Sequence, residues 1–599
     1  MNRIRAIGLG AAMLAMAPAG LAVAAMPTPP EAAAPKDDGQ WRMPAKNYAA
    51  TRFSHLDEIN TDTVKNLHAD FTFSLATKAG AEAAPIVANG TMYVVTPYPN
   101  YVYALDLTKP GAPLKWEFIP KPAPASQGVA CCDVVNRGVA FDDGKIFFNT
   151  LDDHTFALDA ATGKMLWNAK VGDISTGESL TMAPLVVKGK VLVGNSGGEF
   201  GVRGWLTALD ENTGKIAWRA YSTGPDKDVL IGSDFHPFYP QDRGKDLGVA
   251  TWPPGAWKIG GGTVWGWIAY DPDLNLIYYG TGNPGPWNQE QRPGDNLWTT
   301  TIFARDPDTG AAKWAYQMNP HDEHDYDGVN EIVLVDMPVN GKMRKVLMHP
   351  DRNSYLYVID RTTGELISAD AYGPLNALNG VDMKTGRPIV NPAKTTKVGA
   401  VVHDICPTAS GGKDWQPSAF SPQTGLLYIP HENMCMDWED VQTNYIEGTP
   451  YVGANVVMKP GPGGNRGEVT AWDPETRKPV WQIKEDLPVW SGALATAGGL
   501  VFYGTLDGWF KAVDAKTGKL EWQFKTGSGI VGQPIAFKSP DGHEKVAVLS
   551  GVGGWAGAIV SGNLNPQDPT GALGMVGVTK DLKQRTTAGG MLYVFSLPH

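Results

Sequence analysis

The sequence predicts an all-β protein, an eight-bladed β-propeller, and three observations lead there. The first is a recurring phrase: an apolar strand ending in Asp, a Thr-Gly turn, and a second strand carrying Trp. It occurs at Asp106 with Trp116, at Asp159 with Thr162-Gly163 and Trp167, and at Asp210 with Thr213-Gly214 and Trp218. It returns at Asp306 with Thr309-Gly310 and Trp314, at Asp360 with Thr363-Gly364, at Asp473 with Trp481, and at Asp514 with Thr517-Gly518 and Trp522. Alternating apolar residues around such a turn read as a β-hairpin. The second observation is that helical periodicity is scarce along the chain. The third is the final stretch Leu592–Leu597, which repeats only the first half of the phrase. Eight units that cannot each bury a core are stable when stacked radially. Tryptophans then pack between neighbouring blades. The strand after Gly589-Gly590 pairs with N-terminal strands and closes the ring, which hides the sheet edges.

In chain order, residues 1–25 read as an export signal. Arg3 and Arg5 precede a small-residue apolar run, and Ala22-Val23-Ala24 offers a cleavage context. No later run approaches the roughly 20 apolar residues a membrane span needs. Residues 26–50 form an extended arm rich in Pro, Ala and charge, and 26–599 read as one propeller domain. The phrase repeats about every fifty residues from Asp106 to Asp210, but the intervals Asp210–Asp306 and Asp360–Asp473 are about twice as long. These gaps hold Gly/Pro-rich insertions, such as Trp252-Pro253-Pro254-Gly255 and Gly461-Pro462-Gly463-Gly464, expected to roof one end of the propeller. A roofed axial funnel is a natural cofactor cavity.

The formal charge of −11 argues against a nucleic-acid partner and suits a basic protein partner. Four cysteines, Cys131, Cys132, Cys406 and Cys435, suggest two disulfides in an exported chain. Their residues alone leave three connectivities open. A Cys131–Cys132 bond would be strained, because adjacent Cα atoms lie about 3.8 Å apart and disulfides usually span about 4.4–6.8 Å. No Cys-x-x-Cys-His is present, so no haem is attached.

Four segments carry the chemistry. In His321–Gly328, Asp325 and Asp327 would share a face of an extended backbone, and Tyr326 would turn into packing. Gly194–Gly201 allows close backbone approach to a ligand and supplies Glu199. Gly260–Trp267 places three glycines before Trp265, which either docks a blade or lies flat beneath a planar ring. Tyr279–Trp287 offers Asn283. Glu199, Asn283, Asp325 and Asp327 are all oxygen donors, a set for a hard cation. Three carboxylates hold Ca²⁺ but suit a trivalent ion better. His321 and His324 read as packing or hydrogen-bonding residues.

Cys131–Gly138, Gly198–Gly204, Thr281–Asn288, Arg292–Asn296, Pro320–Gly328 and Val552–Trp555 together resemble the PQQ-dependent methanol dehydrogenases over nearly the whole mature chain. Asp327, where the calcium enzymes typically carry Ala, resembles the lanthanide-dependent (XoxF-type) branch. The resemblance implies a quinoprotein propeller with pyrroloquinoline quinone (PQQ) near its axis. It implies a Cys131–Cys132 ring on one face of PQQ, Trp265 on the other, and a structural Cys406–Cys435 disulfide. Glu82, Arg137, Thr181, Ser196, Gly197 and Gly198 match positions that hold the PQQ carboxylates and ring edges. Arg352 matches the arginine near the quinone oxygens, and Asp414 and Trp490 match further cofactor contacts. His324 stands where the family usually has Trp.

The expected reaction is oxidation of a primary alcohol, methanol first, to its aldehyde. Asp325 is the expected base, beside a cation and an arginine that lower a carboxylate's pKa. The expected metal is a lanthanide ion, with Ca²⁺ as the alternative. Electrons would pass to a periplasmic cytochrome c, and a homodimer is expected. Two rival readings are a calcium-dependent PQQ dehydrogenase for larger alcohols and a non-catalytic propeller scaffold.

Overall fold

A computed structural model describes Met1 and residues 26–599. The expected export signal, apart from Met1 itself, lies outside these residues. Eight antiparallel sheets form the blades. The first comprises Ile86–Ala88, Thr91–Val95, Val102–Asp106 and Leu114–Phe118, in sequential order. Its first strand is wholly buried and its fourth largely exposed, so each blade runs from axis to rim. Blades two to seven span residues 140–170, 185–221, 268–317, 333–371, 419–485 and 494–525. The short strand Phe53–Ser54 adds in parallel to Leu494–Thr496 of the seventh.

The eighth blade closes the ring as the half-phrase predicts. Ile535–Lys538, Glu544–Ser550 and Met591–Ser596 supply three strands, and His68–Ser74 supplies the rim strand. His68 lies opposite Ser596 and Ser74 opposite Met591. Two distant parts of the chain thus complete one sheet and leave no open seam.

The repeated phrase is a docking device. Asp159 Oδ1 accepts from the backbone N–H and hydroxyl of Thr162, at 2.8 and 2.6 Å, which fixes the turn. Gly163 follows at φ +72°, and a Cβ there would lie 2.6 Å from the Trp116 ring of the preceding blade. The Trp116 indole also donates to the Ala160 carbonyl at 3.1 Å. Trp167 on Gly214, Trp218 on Gly310, Trp314 on Gly364 and Trp481 on Gly518 repeat the contact. Their indoles donate to Glu211, Pro307, Arg361 and Ala515. Trp522 donates across the ring closure to Leu67 at 3.0 Å.

The fifth-to-sixth junction departs from this rule. The register that places Trp314 opposite Ala304 places Ser368 opposite Val358, so blade five offers no indole there. Blade six correspondingly carries Arg477, at φ +59°, where its neighbours have Gly. Its guanidinium meets the Asp370 carboxylate of blade five through two bonds of 2.8 and 2.7 Å.

The long intervals are insertions, not extra blades. Residues 222–267 carry the short helices Asp226–Val229 and Leu247–Ala250. Residues 372–418 carry a hairpin, Leu378–Asp382 with Arg387–Val390. Val402–Ile405 joins Met434–Asp440 and Ala454–Pro460 in a three-stranded sheet, and the Cys406–Cys435 disulfide fastens these insertions together. Helix Gly554–Ser561 completes the roof. Trp287, Trp415, Trp438, Trp490 and Trp555 pack beneath it with Met434, Met436 and Val456 in one apolar cluster.

Candidate active site

In an up-and-down blade, the entry to the first strand and the turn after the second lie on the same edge. The site is built from these two kinds of position. Glu82, Arg137, Thr181, Trp265, Asp325, Asp327 and Asp414 precede the innermost strands of blades one to six. Ser196, Glu199, Asn283 and Arg352 lie in turns after second strands. One end of the axis therefore receives them all. There a cavity is lined by Glu82, Cys131, Cys132, Arg137, Thr181, Ser196, Gly197, Glu199, Trp265, Asp325, Asp327, Arg352 and Asp414.

One wall is a polar chain. Arg137 stands 3.0 Å from Glu82 Oε2 and donates to the Thr181 hydroxyl at 2.8 Å, and that hydroxyl is 2.8 Å from Ser196 Oγ. Burial pushes Glu82 up to about 8, although Arg137 pulls the other way. The floor is Trp265, half-exposed within the cavity, with the Arg137 and Arg352 guanidinium carbons 4.8 and 5.4 Å from its ring centre. A large indole left half-bare indoors is suited to a planar partner.

The opposite wall is the charge centre. Arg352 contacts Asp325 Oδ2 at 3.0 Å, Asp327 Oδ2 at 3.2 Å and Asp414 Oδ1 at 2.6 Å. Asp327 Oδ1 accepts from the Asn283 backbone N–H. The Asn283 side-chain oxygen comes within 3.0 Å of where a Cβ on Gly198 would sit, so the glycine makes room for it beside Glu199. Asn283 Oδ1 and Asp325 Oδ1 are buried without any hydrogen-bond partner. Two orphan oxygens and a surplus of carboxylates over guanidinium fit a bound hard cation. Arg352 contacts both Asp325 and Asp327, and Glu199, Asp325 and Asp327 line the cavity without closing on one point.

One local expectation is corrected. Asp325 has φ +66°, so the stretch is a left-handed turn and not an extended strand. Both carboxylates still reach the cavity, and Tyr326 is buried with its hydroxyl donating to the Pro407 carbonyl at 2.9 Å. With no metal ion beside it, the Asp325 carboxyl is held well above the usual range. Burial is the main cause, Arg352 opposes it, and Asp327 and Glu199 add to it. Asp327 is raised to about 7 by burial, again against Arg352.

The cysteines differ from expectation as well. Cys406–Cys435 is formed, but Cys131 and Cys132 stand as two thiols at the cavity rim. Closing an eight-membered ring over adjacent residues distorts the peptide between them, and the open pair avoids that strain. Gly198, Asn283 and Trp490 do not line the cavity. Gly198 gives way to Asn283, while Trp490 is fully buried behind Glu82, near Gly554. His321 bonds the Gly294 carbonyl and Gln289, at 2.8 and 2.6 Å. His324 is buried, faces the Lys394 carbonyl at 3.1 Å and packs on Tyr326 and Trp438, away from the cavity.

Sequence reasoning missed Asp133, Ser179, Trp287, Trp415, Trp555 and Leu573, all in the lining. Asp133 Oδ2 accepts from the backbone N–H of Gly80 and Gly554, at 3.0 and 2.9 Å, and pins the cysteine turn to the roof helix. Ser179 was signalled by its i, i+2 relation to Thr181, and Trp415 by its place beside Asp414. Leu573 carried no signal.

An axial cavity pairing a bare indole with a buried carboxylate–arginine cluster defines a propeller dehydrogenase of the quinoprotein class. A family model described as "Glucose/ethanol/alcohol dehydrogenase, beta-propeller domain" matches residues 41–369, and one described as "Outer membrane protein assembly factor BamB" matches residues 465–554. The lanthanide-dependent methanol dehydrogenase of Methylacidiphilum fumariolicum (strain SolV) is 55% identical over 568 residues, covering 94% of this chain and 93% of that protein. Subunit 1 of the methanol dehydrogenase [cytochrome c] of Methylorubrum extorquens is 48% identical, covering 98% and 95%. The solved structure of a europium-containing methanol dehydrogenase superposes with a TM-score of 0.93 at 55% identity, covering 94% of this chain and 99% of that one. The chain belongs to the PQQ-dependent methanol dehydrogenases, in their lanthanide-dependent branch.

Proposed function

We propose that this protein oxidises methanol, and other small primary alcohols, to the aldehyde, using PQQ and a lanthanide ion and passing electrons to a cytochrome c. The observation that carries the reading is the Arg352 cluster: three carboxylates on one guanidinium, with Asn283 Oδ1 and Asp325 Oδ1 unpartnered, beside the half-bare Trp265. When bound, PQQ supplies the two-electron acceptor and the ion polarises it as a Lewis acid.

The chain's own residues do the rest. Glu199, Asn283, Asp325 and Asp327 would hold the ion. Glu82, Arg137, Thr181, Ser196 and Gly197 would hold the polar edge of the quinone, and Trp265 would carry its face. Gly198 and Trp490 would support from behind, and Asp414 would fix Arg352. Asp325 takes the hydroxyl proton of the alcohol. Its Oδ1 is buried without a hydrogen-bond partner, which leaves an oxygen free to accept that proton. Arg352 stabilises negative charge developing nearby. A disulfide between Cys131 and Cys132, formed by loss of two protons and two electrons to a thiol oxidant of the export compartment, would cover the other face.

Residues 1–25 would direct export to the periplasm, leaving 26–599 as one catalytic propeller. Among the described residues no helix is long and apolar enough to cross a membrane. The formal charge of −11 would steer a basic cytochrome toward the protein. The resemblance further implies a homodimer, which light scattering tests. Purification from lanthanum-grown cells, followed by metal analysis, quinone absorption and methanol-dependent cytochrome c reduction, tests the function. A protein lacking both groups, or inert with methanol when loaded, would refute it.

A further inference from the structure

We propose that Glu58, His543 and His599 form a second metal site, for a borderline divalent cation of the zinc type, at the seam of the propeller. These three are the one group among the described residues whose His and carboxylate ligand atoms all lie within 4.8 Å of one another. They arrive from three separate segments. Glu58 precedes the rim strand His68–Ser74, His543 sits in the turn before Glu544–Ser550, and His599 follows Met591–Ser596. All three of those strands belong to the eighth blade, where the two distant parts of the chain meet.

The geometry is prepared. Glu58 Oε2 accepts from the Glu544 backbone N–H at 2.8 Å, and Oε1 lies 2.8 Å from His543 Nδ1, so both carboxylate oxygens are oriented. The His543 and His599 rings stack with centres 3.5 Å apart, and the exposed His599 ring must turn out of that stack to aim its in-plane lone pair at a shared ion. Glu58 and His543 are half-buried and His599 is exposed, so water can complete the coordination. Two imidazoles and one carboxylate are a nitrogen-rich set. It suits Zn²⁺, Ni²⁺ or Cu²⁺ and disfavours the hard cation for which the axial cavity offers only oxygen. The two sites thus differ in chemistry as well as place. An ion here would tie the segment before the rim strand to the residue after the last strand and resist opening of the seam, because a ligand that binds only the folded state stabilises it.

The test uses the untagged, PQQ- and lanthanide-loaded protein, titrated with Zn²⁺ by calorimetry and with Co²⁺ by visible absorption. Expected are one equivalent of micromolar Zn²⁺, a Co²⁺ spectrum with nitrogen-ligand character, and a melting temperature that rises with Zn²⁺. His599→Ala, at an exposed position, and His543→Ala should abolish all three, and Glu58→Gln should weaken them, with methanol turnover unchanged. Zn²⁺ binding of the same stoichiometry and affinity in His599→Ala, or no binding to the unaltered protein, would overturn the proposal. If His543→Ala fails to fold, His599→Ala decides alone.

Discussion

Arg352 Nη1 donates to both the Oδ2 carboxylate oxygen and the backbone carbonyl of Asp325, each at 3.0 Å. The arginine therefore fixes the orientation of the base as well as its charge. Its second nitrogen donates to Asp414 at 2.6 Å, so the planar fork is used on both sides. Lysine keeps the charge but cannot reproduce the fork. Arg352→Lys should lower turnover by roughly 10²–10³-fold with a smaller effect on stability. Arg352→Ala strands buried carboxylates and should also cost about 3–5 kcal/mol. Steady-state kinetics with an artificial acceptor, together with melting curves, separate the two effects. Equal turnover in Arg352→Lys and the unaltered enzyme would remove the arginine from the mechanism.

Asp327 supplies the carboxylate that suits a trivalent ion over a divalent one. Its Oδ1 is already engaged by the Asn283 backbone N–H, which orients it within the cluster. Asp327→Ala should abolish activation by La³⁺ while leaving the fold intact. Activity measured across La³⁺ and Ca²⁺ titrations checks this, and retained lanthanide activation would sink the assignment of Asp327 as a ligand.

What the sequence reveals divides along physical lines. The Asp-x-x-Thr-Gly turns were legible because their chemistry is local: Asp159 caps Thr162, and Gly163 must yield to Trp116. Five such turns, the variant phrases at Asp106 and Asp473, and the closing strand make up the eight units. Asn283 and Glu199 were legible as oxygen donors on glycine-rich turns. The left-handed backbone at Asp325 was not, because nothing in Glu-His-Asp-Tyr marks a non-glycine residue for positive φ. Trp287, Trp415 and Trp555 read as ordinary core aromatics, and only the tertiary fold places them against the cavity. The raised carboxyl of Asp325 is equally a product of burial, which no local pattern encodes.

Glu82 gives the apo-protein a characteristic pH dependence. Burial raises its folded pKa to about 8 from an ordinary 4.5. Between those values the folded chain holds a proton that the unfolded chain has released. Stability from this group is therefore complete below about 4.5 and falls as pH rises toward about 8. Glu82→Gln mimics the protonated form and should flatten that slope by about one proton. Urea midpoints of apo-protein from pH 5 to 8 read it directly, and identical slopes in the two proteins would show that Glu82 is ionised throughout.

The blade junctions should differ in strength in a way that follows from their chemistry. At the fourth-to-fifth junction the Trp314 indole covers Gly364, at φ +80°, and a Cβ there would lie 2.8 Å from the ring. Trp314→Ala opens a buried cavity and should cost about 3–5 kcal/mol. Gly364→Ala meets both the ring and an unfavourable backbone, so it should also destabilise, by about 1–3 kcal/mol. At the fifth-to-sixth junction, Arg477 and Asp370 replace the indole and glycine, but the Arg477 side chain is 52% exposed. Water and salt screen such a pair, so Arg477→Ala should cost no more than about 1 kcal/mol, and less in high salt. Urea unfolding of the three variants makes the comparison. A loss at Arg477→Ala matching that at Trp314→Ala would mean that the ion pair carries the junction. A small loss would mean that buried strands, the apolar cluster joining Leu356 and Tyr372 to Phe420 and Trp472, hold it without a docking tryptophan.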